Sequence, residues 1–220
     1  MPTSAWKESD LLYVPIEDQL AAAEKIKNVM IKSLPALGFS LEDIQVLTPM
    51  QRSTLGAQNL NELLRDAVNP RQKGIAEFKY GLKTFRLNDR VMQTENDYDK
   101  EVFNGDIGYI REIDKENREF IVNFNGIEKY YDFDEASSLQ LAYTLTIHKS
   151  QGSEYKAVIL VIHIQHYIML KRQLIYTGLT RGKEMVIIIG NNKGIKTAVT
   201  NINKADDRKS LLWKRIINDN

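Results

Sequence analysis

Apolar positions recur along this chain with two different periods. From residue 17 to 33 they fall at helical spacing (Leu20, Ala23, Ile26, Val29, Met30) with charges between them, and Pro35 and Gly38 close the segment. This predicts an amphipathic helix. A strand-like run at 11–14 precedes it, and a short apolar strand at 44–48, ended by Pro49, follows. Residues 54–68 then read as a second helix before Asn69-Pro70. After residue 140 the alternation resumes, with strands at 157–162 and 185–189 and a helix over roughly 167–179. Strands so continuous in Val and Ile are buried on both faces, so the expectation is an α/β layer with a mainly parallel sheet and flanking helices.

Between these halves the period shortens to two. Residues 90–94, 108–111, 119–124 and 128–133 are short and alternating, and Asn104-Gly105-Asp106 and Asn125-Gly126 supply turns between them. The expected architecture is a discontinuous α/β domain (1–75 and 140–220) with a small antiparallel β-barrel (76–139) inserted into it. The C-terminal stretch 206–217 reads as a closing helix with Trp213 in the core. The first ten residues carry no apolar run of signal-peptide length, and the chain reads as one entered midway.

Composition narrows the function. With 30 Lys and Arg against 29 Asp and Glu, the net charge of +1 means that any binding to nucleic acid must be local. The absence of cysteine excludes a disulfide framework and thiolate metal sites, and suits a reducing compartment, with the cytoplasm as the default. The longest apolar runs fall far short of the roughly 20 residues that cross a bilayer.

Candidate chemistry concentrates after residue 143. Thr144, Thr146, His148, Lys149, Ser150 and Gln151 follow an apolar strand, and Gly152 permits close backbone approach. Hydroxyl, imidazole and ammonium donors of this kind bind phosphate oxygens, and ligands of open α/β sheets sit beyond strand ends. Such a cluster is also what a solvated loop looks like. Arg181, after Tyr176-Thr177-Gly178-Leu179-Thr180, has a guanidinium fork suited to a phosphate held by a facing domain. Arg52 is a similar candidate, and a surface position is the ordinary fate of any single arginine. A Walker A loop is absent from the sequence, because Gly178-Leu179-Thr180-Arg181-Gly182-Lys183-Glu184 fails in spacing and in its last residue. A Walker B is absent too, since 158–162 runs into His163 rather than paired acids. No metal site is expected: His163 and His166 lack Cys or a third partner, and Val102 stands where a calcium loop starting at Asp97 needs its turn glycine.

Four ordered segments resemble the C-terminal region of RecD-type superfamily 1 DNA helicases, a group that includes the helicase part of TraA-type relaxases. Residues 143–154 are similar to motif V and 175–181 to motif VI. Val46-Leu47-Thr48-Pro49-Met50-Gln51-Arg52 with Leu55-Gly56 and Leu60-Asn61 resembles motif IV. Residues 89–93 with 102–108 resemble the family's inserted SH3-like barrel. The resemblance implies a second RecA-like domain carrying that barrel. ATP and Mg²⁺ would bind only when an N-terminal P-loop domain is present, none being held tightly by this chain. It further implies Arg181 as arginine finger, Arg52 as a second phosphate-sensing arginine, and Gly152, Glu154 and Gln151 near the nucleotide. Thr146, His148, Lys149 and Ser150 would face a single-stranded DNA backbone, joined by Tyr98 and Asn104 of the barrel. The implied partners are single-stranded DNA and the N-terminal RecA-like domain, with no membrane; nuclease-complex subunits are unspecified. Gly178 and Gly182 stand where the family usually has alanine. A non-catalytic, helicase-derived binding module is the alternative, and an RNA-directed helicase half a third.

Overall fold

A computed structural model describes residues 9–201; the expected closing helix at 206–217, with Trp213, lies outside them. Five parallel strands form one sheet in the order β1-β12-β11-β2-β10: β1 (Leu11–Pro15), β2 (Ile44–Thr48), β10 (Thr144–Thr146), β11 (Tyr155–Ile162) and β12 (Gly182–Gly190). Successive residues of β11 point to opposite faces. Ala157, Ile159 and Val161 enter the core under helices α1 (Gln19–Asn28) and α2 (Ala57–Val68). Val158, Leu160 and Ile162 enter the core under α3 (Arg172–Leu179), which also receives Ala198 of α4 (Asn192–Thr200). Burial on both faces accounts for the unbroken apolar runs of the sequence.

The helices differ from expectation in their ends. Helix α1 starts where the Asp18 side chain accepts the Ala21 N–H at 2.8 Å, and beyond Asn28 it passes into a π-helical turn (Val29–Ser33). Leu20 is exposed, because it lies about 120° around the helix from Ile26. The helix expected from 167 begins only at Arg172. A 3₁₀ turn (Ile164–His166), held by the His163 ring accepting the Gln165 N–H, precedes it, residues 167–169 form a further turn where its first part was expected, and Lys171 is extended. Gly178 closes α3 onto the sheet: a Cβ there would lie 2.6 Å from the Leu160 side chain. The glycine is thus explained by the bulk of Leu160 beneath it.

The antiparallel unit has two sheets. A hairpin, β3 (Glu77–Tyr80) and β4 (Lys83–Arg86), packs against a five-stranded sheet ordered β8-β7-β6-β5-β9. Its strands are β5 (Arg90–Gln93), β6 (Ile107–Asp114), β7 (Glu119–Phe124), β8 (Ile127–Asp132) and β9 (Leu139–Leu141). Phe78 stacks on Phe133 at 4.1 Å and lies 4.8 Å from Phe120, so aromatic rings fill the shared interior. The hairpin has no counterpart in the sequence reading. Its strands are only four residues each, and Phe78 and Phe85 are their buried apolar positions.

A buried polar knot joins the two units. Asp89, with no exposed surface, accepts the Arg86 N–H at 2.8 Å, the Asn69 amide at 2.9 Å and the Tyr143 hydroxyl at 3.2 Å. Arg65 of α2 lies 4.0 Å from the carboxylate and donates to the Thr84 carbonyl at 2.7 Å. Arg90 donates to the Ile44 carbonyl at 2.9 Å. Burial raises the Asp89 pKa against the pull of these donors. Replacing Asp89 by Ala leaves three donors without their acceptor in the interior and removes the carboxylate beside Arg65, which costs about 3 kcal/mol. Urea denaturation should show that loss, and a smaller one for Asp89→Asn, which keeps one acceptor oxygen.

Candidate nucleotide and nucleic-acid surfaces

The sheet presents candidate residues at both ends. At the carboxyl end, β10 lies level with β2, Thr146 opposite Thr48. The free edge of β10 is capped by a side chain: the Asn61 amide donates to the Thr144 carbonyl and its oxygen accepts the Thr144 N–H, both at 2.8 Å. The 3₁₀ turn His148–Ser150 follows, with His148 and Lys149 exposed and the half-buried Thr146 hydroxyl accepting the Lys149 N–H at 3.4 Å. The Lys149 ammonium donates to Gln140 at 2.6 Å. Burial, and the charge of nearby Lys83, hold its pKa below the usual lysine range. Arg52, exposed, follows β2 at this same end.

At the amino end, β11 and β12 begin side by side, Tyr155 opposite Gly182. The Arg181 carbonyl accepts the Tyr155 N–H at 2.8 Å. The Arg181 guanidinium, half-buried, donates to the carbonyls of Ser153 at 3.0 Å and Thr177 at 3.1 Å, and to the Thr180 hydroxyl at 3.2 Å. Glu154 is exposed and paired with Lys183 at 3.0 Å. Gly152 has φ of 87°, and a Cβ there would meet no atom within 4 Å. Its conformation requires glycine, and the space above it is open.

Arg52 follows the carboxyl end of β2, whose last residue, Thr48, lies about seven residue rises, roughly 20 Å, along the sheet from Arg181. Ser150 faces inward, fully buried, its hydroxyl donating to the Ile147 carbonyl at 2.8 Å; it braces the turn and offers a strand no contact. Gln151 shares a cavity of about 230 Å³ with His148 and with Lys171, Gln173 and Thr177 around α3. Tyr98 and Asn104 are exposed on the β5–β6 loop, where Tyr98 meets Phe103 edge-on at 6.1 Å and the Asn104 N–H donates to Asn96. No hydrogen bond or ion pair among the described residues ties that loop to residues 144–154. Lys83 and Gln140, beside Lys149, were missed; Lys83 belongs to the short hairpin whose alternation is too brief to read.

Two of the three histidines lie in the interior. His163 is buried and hydrogen-bonded to the Glu17 carbonyl at 2.9 Å. His166 is fully buried, and both its ring nitrogens lack partners. No group of three His, Cys, Asp or Glu side chains among the described residues is arranged to hold a metal. No helix among them is long and apolar enough to cross a membrane.

A parallel sheet with helices on both faces, carrying an antiparallel barrel and phosphate-type donors beyond its strand ends, is the build of a helicase RecA-like domain. Residues 60–124 match the ATP-dependent RecD-like DNA helicase SH3 domain, and residues 141–189 match the UvrD-like helicase C-terminal domain. The ATP-dependent RecD2 DNA helicase of Deinococcus radiodurans is 34% identical over 212 residues, 96% of this chain and 28% of that protein. The RecBCD enzyme subunit RecD of Haemophilus influenzae is 30% identical over 167 residues, 74% of this chain and 24% of that protein. The chain thus spans about a quarter of the length of these relatives. A Bacteroides Pif1 helicase in complex with ADP-AlF3 and single-stranded DNA has the same fold: TM-score 0.54, 16% identity, over 93% of this chain and 55% of that one. Together these matches make the chain, in sequence and fold, the counterpart of the C-terminal region of RecD-type superfamily 1 DNA helicases.

Burial lowers the His166 pKa from 6.5 to about 4, with the neighbouring His163 adding to the effect. A depressed histidine favours the neutral form in the folded state. Its contribution is complete above pH 6.5 and is lost as pH falls toward 4, reaching about 2 kcal/mol at pH 5. Denaturant melts of the chain and of His166→Phe at pH 7 and pH 5 should show the smaller acid loss in the variant.

Proposed function

We propose that this chain is the C-terminal motor half of an ATP-dependent DNA helicase, with its nucleotide-facing and strand-facing residues at opposite ends of one parallel sheet. The observation carrying this reading is the run 147–154. It leaves β10 at the carboxyl end beside Lys149 and reaches β11 at the amino end beside Arg181. One short segment therefore touches both candidate surfaces.

At the amino end, Arg181, Gly152 and Glu154 form a half-site that fits a phosphate group. It offers a guanidinium within reach of solvent and an open glycine backbone, while the Glu154 carboxylate, paired with Lys183, would face the sugar or base and not the phosphate. ATP and Mg²⁺, held by a P-loop domain, would supply the bond cleaved and the charge stabilised. Arg181 would exchange its carbonyl partners for phosphate oxygens, a planar fork suited to stabilising charge there. Gln151, which shares a cavity with His148, would approach the nucleotide from the α3 side. At the carboxyl end, Thr146, His148 and Lys149 would hold the backbone of single-stranded DNA, and Arg52 is reassigned to this side. Tyr98 and Asn104 would meet the strand only where it passes the barrel.

The alternative, a non-catalytic module that binds nucleic acid or protein, draws on the same Arg181: its donors already have protein acceptors, as a purely structural arginine would. The two readings separate in the full-length motor. Arg181→Ala should lower strand-stimulated ATP hydrolysis by about 10³- to 10⁵-fold while leaving strand affinity near normal. Turnover equal to the parent would sink the finger assignment. The same assay with matched DNA and RNA strands tests the sugar preference, with DNA expected to stimulate more.

A further inference from the structure

Residues outside the helicase motifs named above border the strand-facing surface. Between the start of α2, the β3–β4 hairpin and β9 runs a groove of about 360 Å³, lined by Arg52, Asn61, Leu82, Lys83 and Gln140 among others. Lys83 donates to the Leu139 carbonyl at 2.8 Å and, weakly, to that of Ser137 at 3.5 Å. Lys149 reaches into the same rim by donating to Gln140. An ammonium has three protons, so each lysine retains donor capacity.

Charge in this groove is unbalanced. Among the described residues neither Lys83, Lys149 nor Arg52 has an acidic partner, and the lining acid, Glu62, is paired with Arg65. Lys149 feels Lys83 as a like charge, and burial depresses both ammonium groups. Two cations converging without a counter-ion favour an anion between them. The hairpin tip adds a different chemistry. Leu82 is entirely exposed beside Gly81, whose φ is 56°. A leucine held at the mouth of a basic groove offers apolar surface to something flat and apolar that arrives with a phosphate. A nucleotide of a single strand has both parts.

We propose that Lys83 and Lys149 together seat one phosphate of a nucleic-acid single strand in this groove, with Leu82 packing on the adjoining base. The inference rests on the strand-binding reading and extends it to the hairpin, whose residues lie outside the motif segments. It makes the groove a joint site of the parallel sheet and the barrel unit, dependent on how Asp89 fixes one against the other.

The test is fluorescence-anisotropy titration of a labelled oligothymidine with this chain across a salt series. Lys83→Gln should weaken binding about tenfold at low salt and reduce the salt slope by about one phosphate contact. Leu82→Ala should weaken binding several-fold with the slope unchanged, and should abolish the fluorescence change of a 2-aminopurine placed in the strand. Leu82 has no packing to lose, so its variant reports on the strand even if Lys83→Gln folds poorly. Parent-like affinity and slope in both variants, with binding still lost in Lys149→Ala, overturn the groove while leaving the strand-binding reading intact. No binding by the parent chain at low salt overturns both.

Discussion

The seating of the barrel unit on the parallel sheet depends on the buried carboxylate of Asp89. It draws together α2 through Asn69 and Arg65, the barrel through Arg86, and the approach to β10 through Tyr143. An ionised or partly ionised acid without solvent is tolerated only when several donors converge on it, and those donors come from segments far apart in sequence. The cost of separating them is what makes the barrel and the sheet one unit. The groove containing Lys83, Arg52 and Gln140 exists because that unit has a fixed geometry.

Within the sheet, parallel strands act as struts between two chemical surfaces. From Thr146 to Tyr155 the chain descends about six residue rises, near 20 Å, crossing from the end that carries Lys149 to the end that carries Arg181. The crossing is braced inside: Ser150 bonds to Ile147, Arg181 bonds to Ser153, and the Tyr155 N–H is held by the Arg181 carbonyl. A rearrangement of Arg181 that released Ser153 would loosen the same segment whose other end carries Lys149. Under the proposed function, that would be a physical route for coupling phosphate chemistry to strand contact, built from hydrogen bonds between adjacent turns.

Much of this was legible in the sequence. The two periods separated the sheet-and-helix layer from the antiparallel unit, because strands buried on both faces and strands buried on one face demand different patterns. Motif spacing singled out Thr146, Lys149, Gly152 and Arg181 as candidates. What the sequence could not carry was register. Arg52 and Arg181 both follow apolar segments ahead of or behind a helix, yet one comes after the end of a strand and the other just before the start of one. Ser150 is a hydroxyl among hydroxyls until the 3₁₀ turn points it inward. The β3–β4 hairpin escaped notice because four-residue strands give alternation nothing to average over, and its exposed Leu82 contradicts the rule by which apolar residues are placed.

Hydrogen exchange of this chain with and without an oligothymidine strand tests the two-ended arrangement most directly. Protection confined to residues 49–53, 82–84 and 144–149, with 152–155 and 181–184 unchanged, is the predicted footprint. Protection centred on 152–155 and 181–184 would put the strand where the nucleotide is assigned, and the account would fail.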